Sequence, residues 1–565
     1  MPSGKRKVKR HAEAPSSTQA KPEWWVSRAL PWLDAHALLI AVGLIALGVA
    51  RIVAAYPENG ITYDEPGHMA CGLQFLAEHV YRYESQHPPL ARVMSALGPY
   101  LDGARPMGGA EQNLEGAAVI YRNGHVLRTL VLMRLGILPF FLLACGVVYF
   151  WSHRYFGNLT AAIATGLFTM LPPVLAHAGV ATTDMPLAAG VSAAFVALVV
   201  WAEKPGVRQS VCLGFLTGLA VLCKFTALGF LPAAAVLAGA LWVVVERPSM
   251  ARLTVMAKAR ALPLTVAILA CALVLWTGYL FSFGKVPGWT FSLPAPELFD
   301  GIRSALQHNQ RGHFAYLLGH VSMSGWWYYF PVALGVKTPL AFLLLMGLGL
   351  HLVWRHRRET VYLLPVAFSL GILLPAMAGH INIGVRHILP IYTGLSIIAA
   401  IGLAHLLKES AARKWKGAAA AVFLVWMAAS GAAHHPDYLA YFNELVGAEP
   451  EKVLVDSDLD WGQGTVELAR QLREMGIGHV SFVTSYLSDA NLQAWPGLPP
   501  TTGIDPLKPV EGWTAIGPTF WKSVQYGLYY RYANVKPWFE YLRPVRRVGP
   551  LLLYYVPPGS LPARR

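Results

Sequence analysis

The chain has 565 residues, of which 55% are hydrophobic and only 14% are charged, and its formal net charge is +15. Soluble domains carry closer to a quarter charged residues, so this composition excludes a wholly soluble protein and indicates an integral membrane protein. The positive charge does not require a nucleic-acid partner, and we expect none, because basic residues also gather in the cytoplasmic loops of membrane proteins.

Apolar runs long enough to cross a bilayer recur along the chain and predict a polytopic α-helical membrane protein with about 11 transmembrane helices. The membrane domain is predicted to cover residues 35–435. Its predicted spans lie at 36–56, 128–150, 159–178, 187–202, 211–223, 227–245, 261–283, 328–353, 361–379, 388–407 and 417–435. Residues 1–34 are basic and contain Ser and Pro, which predicts a disordered cytoplasmic tail suited to anionic lipid.

The distribution of Lys and Arg predicts the orientation of the chain. If the N-terminus is cytoplasmic, the cytoplasmic segments hold more than twice as many Lys and Arg as the opposite loops before residue 436, which are longer in total. This bias favours a cytoplasmic N-terminus, and with 11 spans the C-terminal segment 436–565 is then extracytoplasmic. We therefore expect a multi-pass protein of the inner, or plasma, membrane.

The predicted outer loops are longer and more varied than the cytoplasmic ones. They are residues 57–127, 180–186, 284–327 and 379–388. An enzyme on this face has no access to ATP or nucleotide sugars, so it would need a donor that is already linked to lipid. One of these loops contains apolar residues at helical spacing, which predicts an amphipathic helix on the membrane: Leu298, Phe299, Ile302 and Leu306.

Acidic residues stand in two of these outer loops. Asp64 and Glu65 follow the first span in "ITYDEPGHM", and Asp184 lies in "ATTDMP". A carboxylate at the mouth of a helix bundle can accept a proton from an attacking hydroxyl. Asp64 could instead cap a helix whose first turn contains Pro66, and Asp184 could be a cap or a turn residue. The sequence leaves these alternatives open.

Cationic residues lie near the predicted outer ends of several spans. They are Lys224, Lys337, Arg386 and the neighbouring His387. Arg or Lys at such a position would suit a phosphate group. Lys224 and Lys337 could instead extend to the interface with their ammonium groups in water. Arg386 is a better candidate for a site, because it follows the loop "GHINIG".

No cysteine pair or histidine pair in the chain has the spacing of a disulfide framework or a zinc site. The segment "DSDLDWGQGTVE" places Asp456, Asp458, Asp460 and Glu467 at positions 1, 3, 5 and 12 of a calcium loop. Trp461 occupies the sixth position, where the sharp turn needs glycine. A structural or acceptor-facing loop is therefore favoured over calcium binding.

The C-terminal segment 436–565 changes character. The stretch "TVELARQLREMG" has a helix pattern, and "IGHVSFVTS" and "GPLLLYYVP" have strand patterns. This alternation predicts a small α/β domain outside the membrane.

Several motifs together resemble a known family. "YDEPGH" followed by "HPPLARVMSALG" is similar to the first outer loop of polyprenyl-phosphate-sugar-dependent glycosyltransferases with the GT-C fold, which include protein O-mannosyltransferases and lipid A aminoarabinose transferases. "LAVLCKFTAL", "GVKTPLAF" and "INIGVRHILPIY" also resemble the bacterial members, and the resemblance covers roughly residues 35 to 470. It implies a GT-C-like membrane domain that uses a polyprenyl-phosphate-linked sugar and an acceptor hydroxyl on a lipid, glycan or protein.

The resemblance also implies roles for single residues. Asp64 would be the general base on the acceptor, Glu65 would support the local geometry, and Asp184 would be the acid of the second loop. The residues implied on the donor side, near its phosphate or holding the loop beside it, are His87, Arg92, Lys224, Lys337, Arg386 and His387. The mannosyltransferases' β-trefoil module is absent, which puts a protein acceptor in doubt.

The implied mechanism is a single inverting displacement. The acceptor hydroxyl attacks the anomeric carbon, and polyprenyl phosphate leaves with its growing charge held by Arg or Lys. Because a monophosphate leaving group needs less neutralisation than a pyrophosphate, no cofactor is expected to be required, with a divalent metal as the alternative.

Two other function classes fit the composition. A transporter or flippase of polyprenyl-linked sugars would show inverted repeats and charged or broken helices at mid-membrane, and no repeat is evident in the sequence. A non-catalytic membrane subunit would not need acids and cations concentrated on its outer loops. A membrane glycosyltransferase agrees with both the lack of an evident repeat and the concentration of acids and cations on the outer loops, so it is the prediction.

Overall fold

The computed structural model describes residues 28–122, 124–410, 412–483, 495–531 and 536–560. The helices are α1 Leu30–Ala35, α2 Ala37–Ala55, α3 Asp64–Glu78, α4 Pro89–Leu101, α5 Gln112–Arg122, α6 Val126–Leu135, α7 Leu138–Phe156, α8 Asn158–Met170, α9 Pro172–Ala178, α10 Asp184–Glu203, α11 Val207–Cys223, α12 Ala227–Glu246, α13 Met250–Gly278, α14 Pro296–Arg311, α15 Tyr329–Lys337, α16 Leu340–Arg355, α17 Thr360–Met377, α18 Ile391–Glu409, α19 Lys414–Ala433, α20 Thr465–Glu474 and α21 Pro518–Arg531.

The strands form two small hairpins and one mixed sheet. The hairpins pair β1 Phe283–Lys285 with β2 Ser292–Pro294 and β3 Ala315–Leu317 with β4 His320–Ser322. The sheet contains β5 Val480–Val483, β6 Thr501–Thr502, β7 Gly512–Ile516, β8 Arg546–Val548 and β9 Leu551–Val556. Its order is β6-β5-β7-β9-β8, with β5 parallel to β6 and β7, and β9 antiparallel to β7 and β8.

The prediction of a multi-pass helical membrane protein is confirmed. Among the described residues, eight helices are long and apolar enough to cross a membrane, and ten if each of two bent pairs counts as one span. The remaining predicted span, 211–223, corresponds to α11, which has 17 residues. About 11 spans therefore agrees with the structure once the short and bent helices are included.

Two predicted spans are not straight. The segment 159–178 is divided into α8 and α9, which meet at 66°, and the segment 328–353 is divided into α15 and α16, which meet at 114°. Both breaks occur beside a proline, Pro172 in the first pair and Pro339 in the second. Proline lacks an N–H group and disfavours helical geometry in the residue before it, so each helix ends just before the proline.

The predicted extent of the disordered tail needs a correction. Helix α1 begins at Leu30, inside the segment 1–34, and Pro31 occupies its first turn. Proline is well suited to this position, because the first N–H groups of a helix have no partner inside the helix. The predicted tail 1–27 lies outside the described residues.

Close helix packing at the centre of the bundle depends on glycine. Helix α18 is almost wholly buried and packs against α16, α8 and α17. A Cβ atom at Gly402 of α18 would lie 2.5 Å from the Leu345 carbonyl oxygen of α16. Small residues allow two backbones to approach this closely, and van der Waals packing is the main attraction between helices in lipid.

The predicted C-terminal α/β unit is present. Helix α20 covers most of the predicted helix "TVELARQLREMG", and β5 and β9 lie in the two predicted strand segments. Leu468 and Leu472 of α20 are buried against Phe482 and Leu553 of the sheet. The preceding residues, 436–463, take no part in this core; they pack over one end of the helix bundle.

The predicted amphipathic helix is also present, as α14. Leu298 is buried, whereas Leu306 on the same helix is 59% exposed. Its location on a membrane surface stays a prediction.

Candidate active site

Asp64 and Arg386 meet at one end of the bundle. Arg386 Nη1 donates to Asp64 Oδ2 at 2.5 Å, although the two residues are 322 positions apart. Asp64 is the first residue of α3 and Tyr63 occupies the N-cap position, so Asp64 is not the cap of this helix. Burial opposes ionisation of Asp64, but Arg386 outweighs it, and the pKa of the carboxyl lies below its usual value. Asp64 is therefore ionised at neutral pH.

A second acid–base pair adjoins the first. Lys224 Nζ lies 2.6 Å from Asp184 Oδ1, and Arg386 Nη1 lies 3.6 Å from Asp184 Oδ2. The four side chains thus alternate in charge, in the order Asp64, Arg386, Asp184 and Lys224. Asp184, Lys224 and Arg386 are buried, and burial of charges is tolerated when each charge is paired in this way. Lys224 does not extend to the interface.

Glu65 faces away from this chain of charges. Both of its oxygens accept hydrogen bonds at 2.9 Å from Arg134, and the backbone N–H groups of Thr62 and Ala181 donate to them as well. Glu65 and Arg134 have no exposed side-chain surface. Arg134 also donates to the carbonyl oxygen of Gly60. The structure therefore places Glu65 as a support that fixes the loop before Asp64.

Arg92 of α4 binds side chains of α3 and of the loop between α3 and α4. Its guanidinium pairs with the Glu84 carboxylate and donates to the Tyr81 hydroxyl at 2.9 Å and to His68 Nδ1 at 3.2 Å. Only 2% of its side chain is exposed. His87 Nδ1 lies 3.1 Å from the same carboxylate, and His87 is 29% exposed. Of the two predicted roles, contact with the donor or support of the loop, this geometry favours support for Arg92.

Lys337 is also occupied. Its ammonium group donates to the carbonyl oxygens of Leu439 at 2.7 Å and Asp458 at 2.5 Å, and it lies 4.3 Å from the ring centre of Phe442. The residue is 2% exposed. Lys337 therefore joins the end of α15 to the segment 436–463, and it neither extends to the interface nor points toward Asp64.

His387 is buried beside the charged chain. Burial, together with Lys224 and Arg386, lowers the pKa of its ring well below the usual value, so the ring is neutral. Its Nε2 atom is buried and has no hydrogen-bond partner among the described residues. A neutral ring can donate or accept a hydrogen bond there, but it adds no positive charge for a phosphate.

Trp461 is a site residue that the sequence analysis did not single out for this role. The Arg386 guanidinium lies over its ring, 4.2 Å from the ring centre. Asp458 Oδ1 accepts a hydrogen bond from the Val385 N–H, and the Tyr63 N–H donates to the Trp461 carbonyl oxygen. The segment "DSDLDWGQG" therefore touches the loops that carry both Asp64 and Arg386. The sequence did contain one indication of this contact. Trp461 stands at the sixth position of the calcium-loop pattern, where glycine is required, so a different role for this residue could have been considered.

The acids of "DSDLDWGQGTVE" do not converge. Asp456 Oδ1 accepts from the adjacent backbone N–H, Asp458 binds the backbone of another loop, and Glu467 pairs with Arg470. Burial raises the pKa of Asp456 and Asp458, and it raises the pKa of Asp460 to about 7. Within the described ranges, no three His, Cys, Asp or Glu side chains are arranged to hold a metal ion.

Several solved structures are similar to this chain. ArnT from Cupriavidus metallidurans bound to undecaprenyl phosphate is 14% identical, with a TM-score of 0.48, over 91% of this chain and 97% of that chain. The same protein in the apo state has 13% identity and a TM-score of 0.49, over 93% of this chain and 98% of that chain. Archaeal oligosaccharyltransferase AglB from Archaeoglobus fulgidus, in complex with an inhibitory peptide and a dolichol-phosphate, is 14% identical, with a TM-score of 0.41, over 72% of this chain and 55% of that chain.

No protein-family model and no curated protein matches the chain. The segments "YDEPGH", "LCKFTAL" and "INIGVRH" supply three of the four charges of the site, and "ATTDMP" supplies the fourth, Asp184. In the residues that form its site, the chain resembles the polyprenyl-phosphate-sugar-dependent glycosyltransferases with the GT-C fold.

Proposed function

We propose that the protein transfers a sugar from a polyprenyl-phosphate donor to an acceptor hydroxyl by a single inverting displacement, with Asp64 as the general base. The observation that carries the proposal is the ion pair between Asp64 and Arg386. Asp64 is ionised and its side chain is 24% exposed, whereas Arg386 is held behind it with 7% exposed. A partly open base beside a fixed cation is the arrangement that such a transfer needs.

The reaction moves one negative charge past Arg386. The acceptor hydroxyl gives its proton to Asp64, and the acceptor oxygen forms a bond to the anomeric carbon of the sugar. The bond from that carbon to the phosphate oxygen breaks, and its electron pair leaves with polyprenyl phosphate. The carboxylate loses a negative charge as the phosphate gains one. Arg386, paired with Asp64 at rest, is then free to pair with the leaving phosphate.

The other charged residues keep Arg386 in place. Asp184 lies 3.6 Å from the same Arg386 nitrogen that binds Asp64, and Lys224 offsets the charge of Asp184. The Trp461 ring covers one face of the guanidinium. Arginine is suited to this role because its planar group stacks on aromatic rings while its N–H groups bind anions. In this proposal Asp184 orients Arg386, and no metal ion or cofactor is required.

The setting of the site is also part of the proposal. The positive-inside bias supports an inner-membrane protein with a cytoplasmic N-terminus, so that the site opens on the extracytoplasmic face. The donor then reaches the site within the bilayer, and the acceptor is a lipid, a glycan or a protein.

The test is release of free polyprenyl phosphate, coupled to glycosylation of an acceptor, by the purified protein with a panel of polyprenyl-phosphate sugars. Asp64→Asn should lower the rate by about 10²–10⁴-fold, because the amide cannot accept the proton. Asp102→Asn is the matched control, since Asp102 directly follows α4 and pairs with the exposed Arg128. Equal rates for wild type and Asp64→Asn would remove Asp64 from the role of base. Movement of the lipid across a vesicle without release would support a flippase instead.

A further inference from the structure

His68 is a buried polar side chain beside Asp64 that the proposed mechanism leaves unused. It lies four residues after Asp64 on α3, so the two side chains share one face of the helix. His68 is 6% exposed. Its Nδ1 atom accepts a hydrogen bond from Arg92, whereas its Nε2 atom has no hydrogen-bond partner in the described part of the chain.

Arg92 fixes which ring nitrogen carries the proton. Arg92 Nε donates to His68 Nδ1 at 3.2 Å, and an arginine keeps all of its protons in proteins. Nδ1 must therefore present its lone pair, so a neutral ring carries its only proton on Nε2. A second proton on Nδ1 would face the Arg92 N–H directly. Glu84 and Tyr81 hold the Arg92 guanidinium in this position.

The surroundings of His68 also favour the neutral ring. Burial lowers the pKa of His68 well below its usual value, and Arg92 of α4 and His87 of the α3–α4 loop act in the same direction. Asp64 on its own helix and Glu84 in the loop act against this shift without reversing it. His68 is therefore a neutral N–H donor at neutral pH.

We propose that His68 is a substrate-contacting residue, whose Nε2–H binds an oxygen of the lipid-linked donor beside Asp64, and that Arg92 and Glu84 are its positioning residues. This inference rests on the proposed function, since it assumes that a donor of this class enters the site. The oxygen belongs either to the phosphate or to a hydroxyl of the sugar.

A neutral donor at this place has a chemical advantage over a cation. A protonated His68 would stabilise ionised Asp64 further and make it a weaker base. A neutral N–H can hold a substrate oxygen without adding to the positive charge that Arg386 already places beside Asp64. Because the Arg92 contact keeps His68 neutral, His68 can bind the substrate without lowering the basicity of Asp64.

The first test compares two amide substitutions. In Asn the amide group stands at the distance of Nδ1 from Cβ, and in Gln the amide nitrogen stands at the distance of Nε2. His68→Asn therefore keeps the acceptor for Arg92 and loses the substrate donor, and His68→Gln does the reverse. We expect His68→Asn to lower kcat/KM by about tenfold or more, and His68→Gln to stay within a few-fold of wild type. The reverse order would show that His68 only holds Arg92, and would overturn the proposal.

The second test is the pH profile of Arg92→Met. Without the Arg92 N–H, the pKa of His68 should rise toward its usual value, although burial still lowers it, so a new loss of kcat/KM should appear on the acidic side of the profile. The double variant Arg92→Met, His68→Gln should lack this loss. If Arg92→Met shows no new acidic loss, or if the double variant still shows it, Arg92 does not set the protonation of His68. His351→Gln, at an exposed position of α16, is the control.

Direct binding separates this inference from the proposed function. The dissociation constants of a polyprenyl-phosphate sugar and of free polyprenyl phosphate are measured for wild type and His68→Asn. Weaker binding of both ligands by the same factor assigns the contact to the phosphate, and weaker binding of the sugar-bearing lipid alone assigns it to the sugar. Either result supports the inference even if wild type catalyses no transfer. Unchanged binding of both ligands, together with unchanged kcat/KM, would overturn it.

Discussion

Arg386 is the residue at which the parts of the candidate site meet. It contacts Asp64 from the first loop, Asp184 from the second and Trp461 from the C-terminal segment. Burial tends to lower the pKa of its guanidinium, but Asp64 and Asp184 raise the pKa above its usual value, so it stays charged at any pH of interest. Arg386 is therefore the neighbour that lowers the pKa of Asp64 most.

Arg386→Gln should change the pH dependence of the reaction as well as its rate. In wild type, burial raises the pKa of Asp64 but Arg386, the largest opposing influence, keeps the pKa below its usual value. Without the cation, burial prevails and the pKa of Asp64 rises. The acidic limb of the kcat/KM profile should therefore move to higher pH. If the limb keeps its position, Asp64 is not the group that titrates in the free enzyme.

Arg357→Gln is a suitable control for that experiment. Arg357 is exposed near the end of α16, away from the site, and contacts only the neighbouring Trp354 among the described residues. Its kcat/KM profile should overlay that of wild type.

At the scale of elements, the contact between α3 and α4 places Arg92 of α4 beside His68 of α3, the helix that begins with Asp64. Gly72 of α3 packs on the backbone of Arg92, and a Cβ atom at this position would also lie 2.6 Å from the Cβ of Ala96. The two helices can approach this closely only because residue 72 has no side chain. The position of Arg92 relative to His68 therefore depends on one glycine.

Gly72→Ala should push α4 away from α3. The added methyl group overpacks this contact, which should lower the free energy of unfolding by about 1–3 kcal/mol and also lower activity. The measurements are thermal unfolding in detergent and the transfer assay. Gly43→Ala is the matched control, because Gly43 lies inside α2 with nothing within 4 Å of an added Cβ atom. It should be neutral, or stabilising by up to about 1 kcal/mol. Equal behaviour of the two variants would contradict the role of the α3–α4 contact.

At the scale of the whole molecule, the segment 436–463 joins the helix bundle to the C-terminal sheet. Lys337 holds the carbonyl oxygens of Leu439 and Asp458, and Asn443 donates to the carbonyl oxygens of Gly335 and Thr338. These bonds connect both ends of the segment with the break between α15 and α16. The same segment brings Trp461 to Arg386, so the site is complete only when the segment is docked.

Lys337→Met should undock this segment without removing a donor-binding group. Met retains the length of the side chain, but two buried carbonyl oxygens lose their partner, at a cost of about 1–3 kcal/mol each. We expect a lower midpoint of thermal unfolding and a lower kcat, with a dissociation constant for polyprenyl phosphate near that of wild type. A loss of lipid binding of about tenfold or more would instead assign Lys337 to the donor phosphate.

The local patterns of the sequence were sufficient for the main elements. Hydrophobic runs predicted the helices, because the length and apolarity of a membrane helix are properties of one continuous segment. The bends after Leu171 and Thr338 were not predicted, because Pro172 and Pro339 indicate where a helix can end but not the angle at which the next helix continues. The helix α14 and the C-terminal α/β unit were predicted from periodicity.

The partners of each charged side chain were decided by the tertiary structure. The sequence could propose Asp64, Asp184, Lys224 and Arg386, and the fold brings these four together. It could not show that Arg92 and Lys337 bind groups of the protein itself, or that Trp461 lies against Arg386. The physical reason is that a charged group can form its hydrogen bonds with any residue that the fold brings near it, however distant that residue is in the sequence. The partners of Lys337 lie 102 and 121 residues away, and no local pattern encodes them.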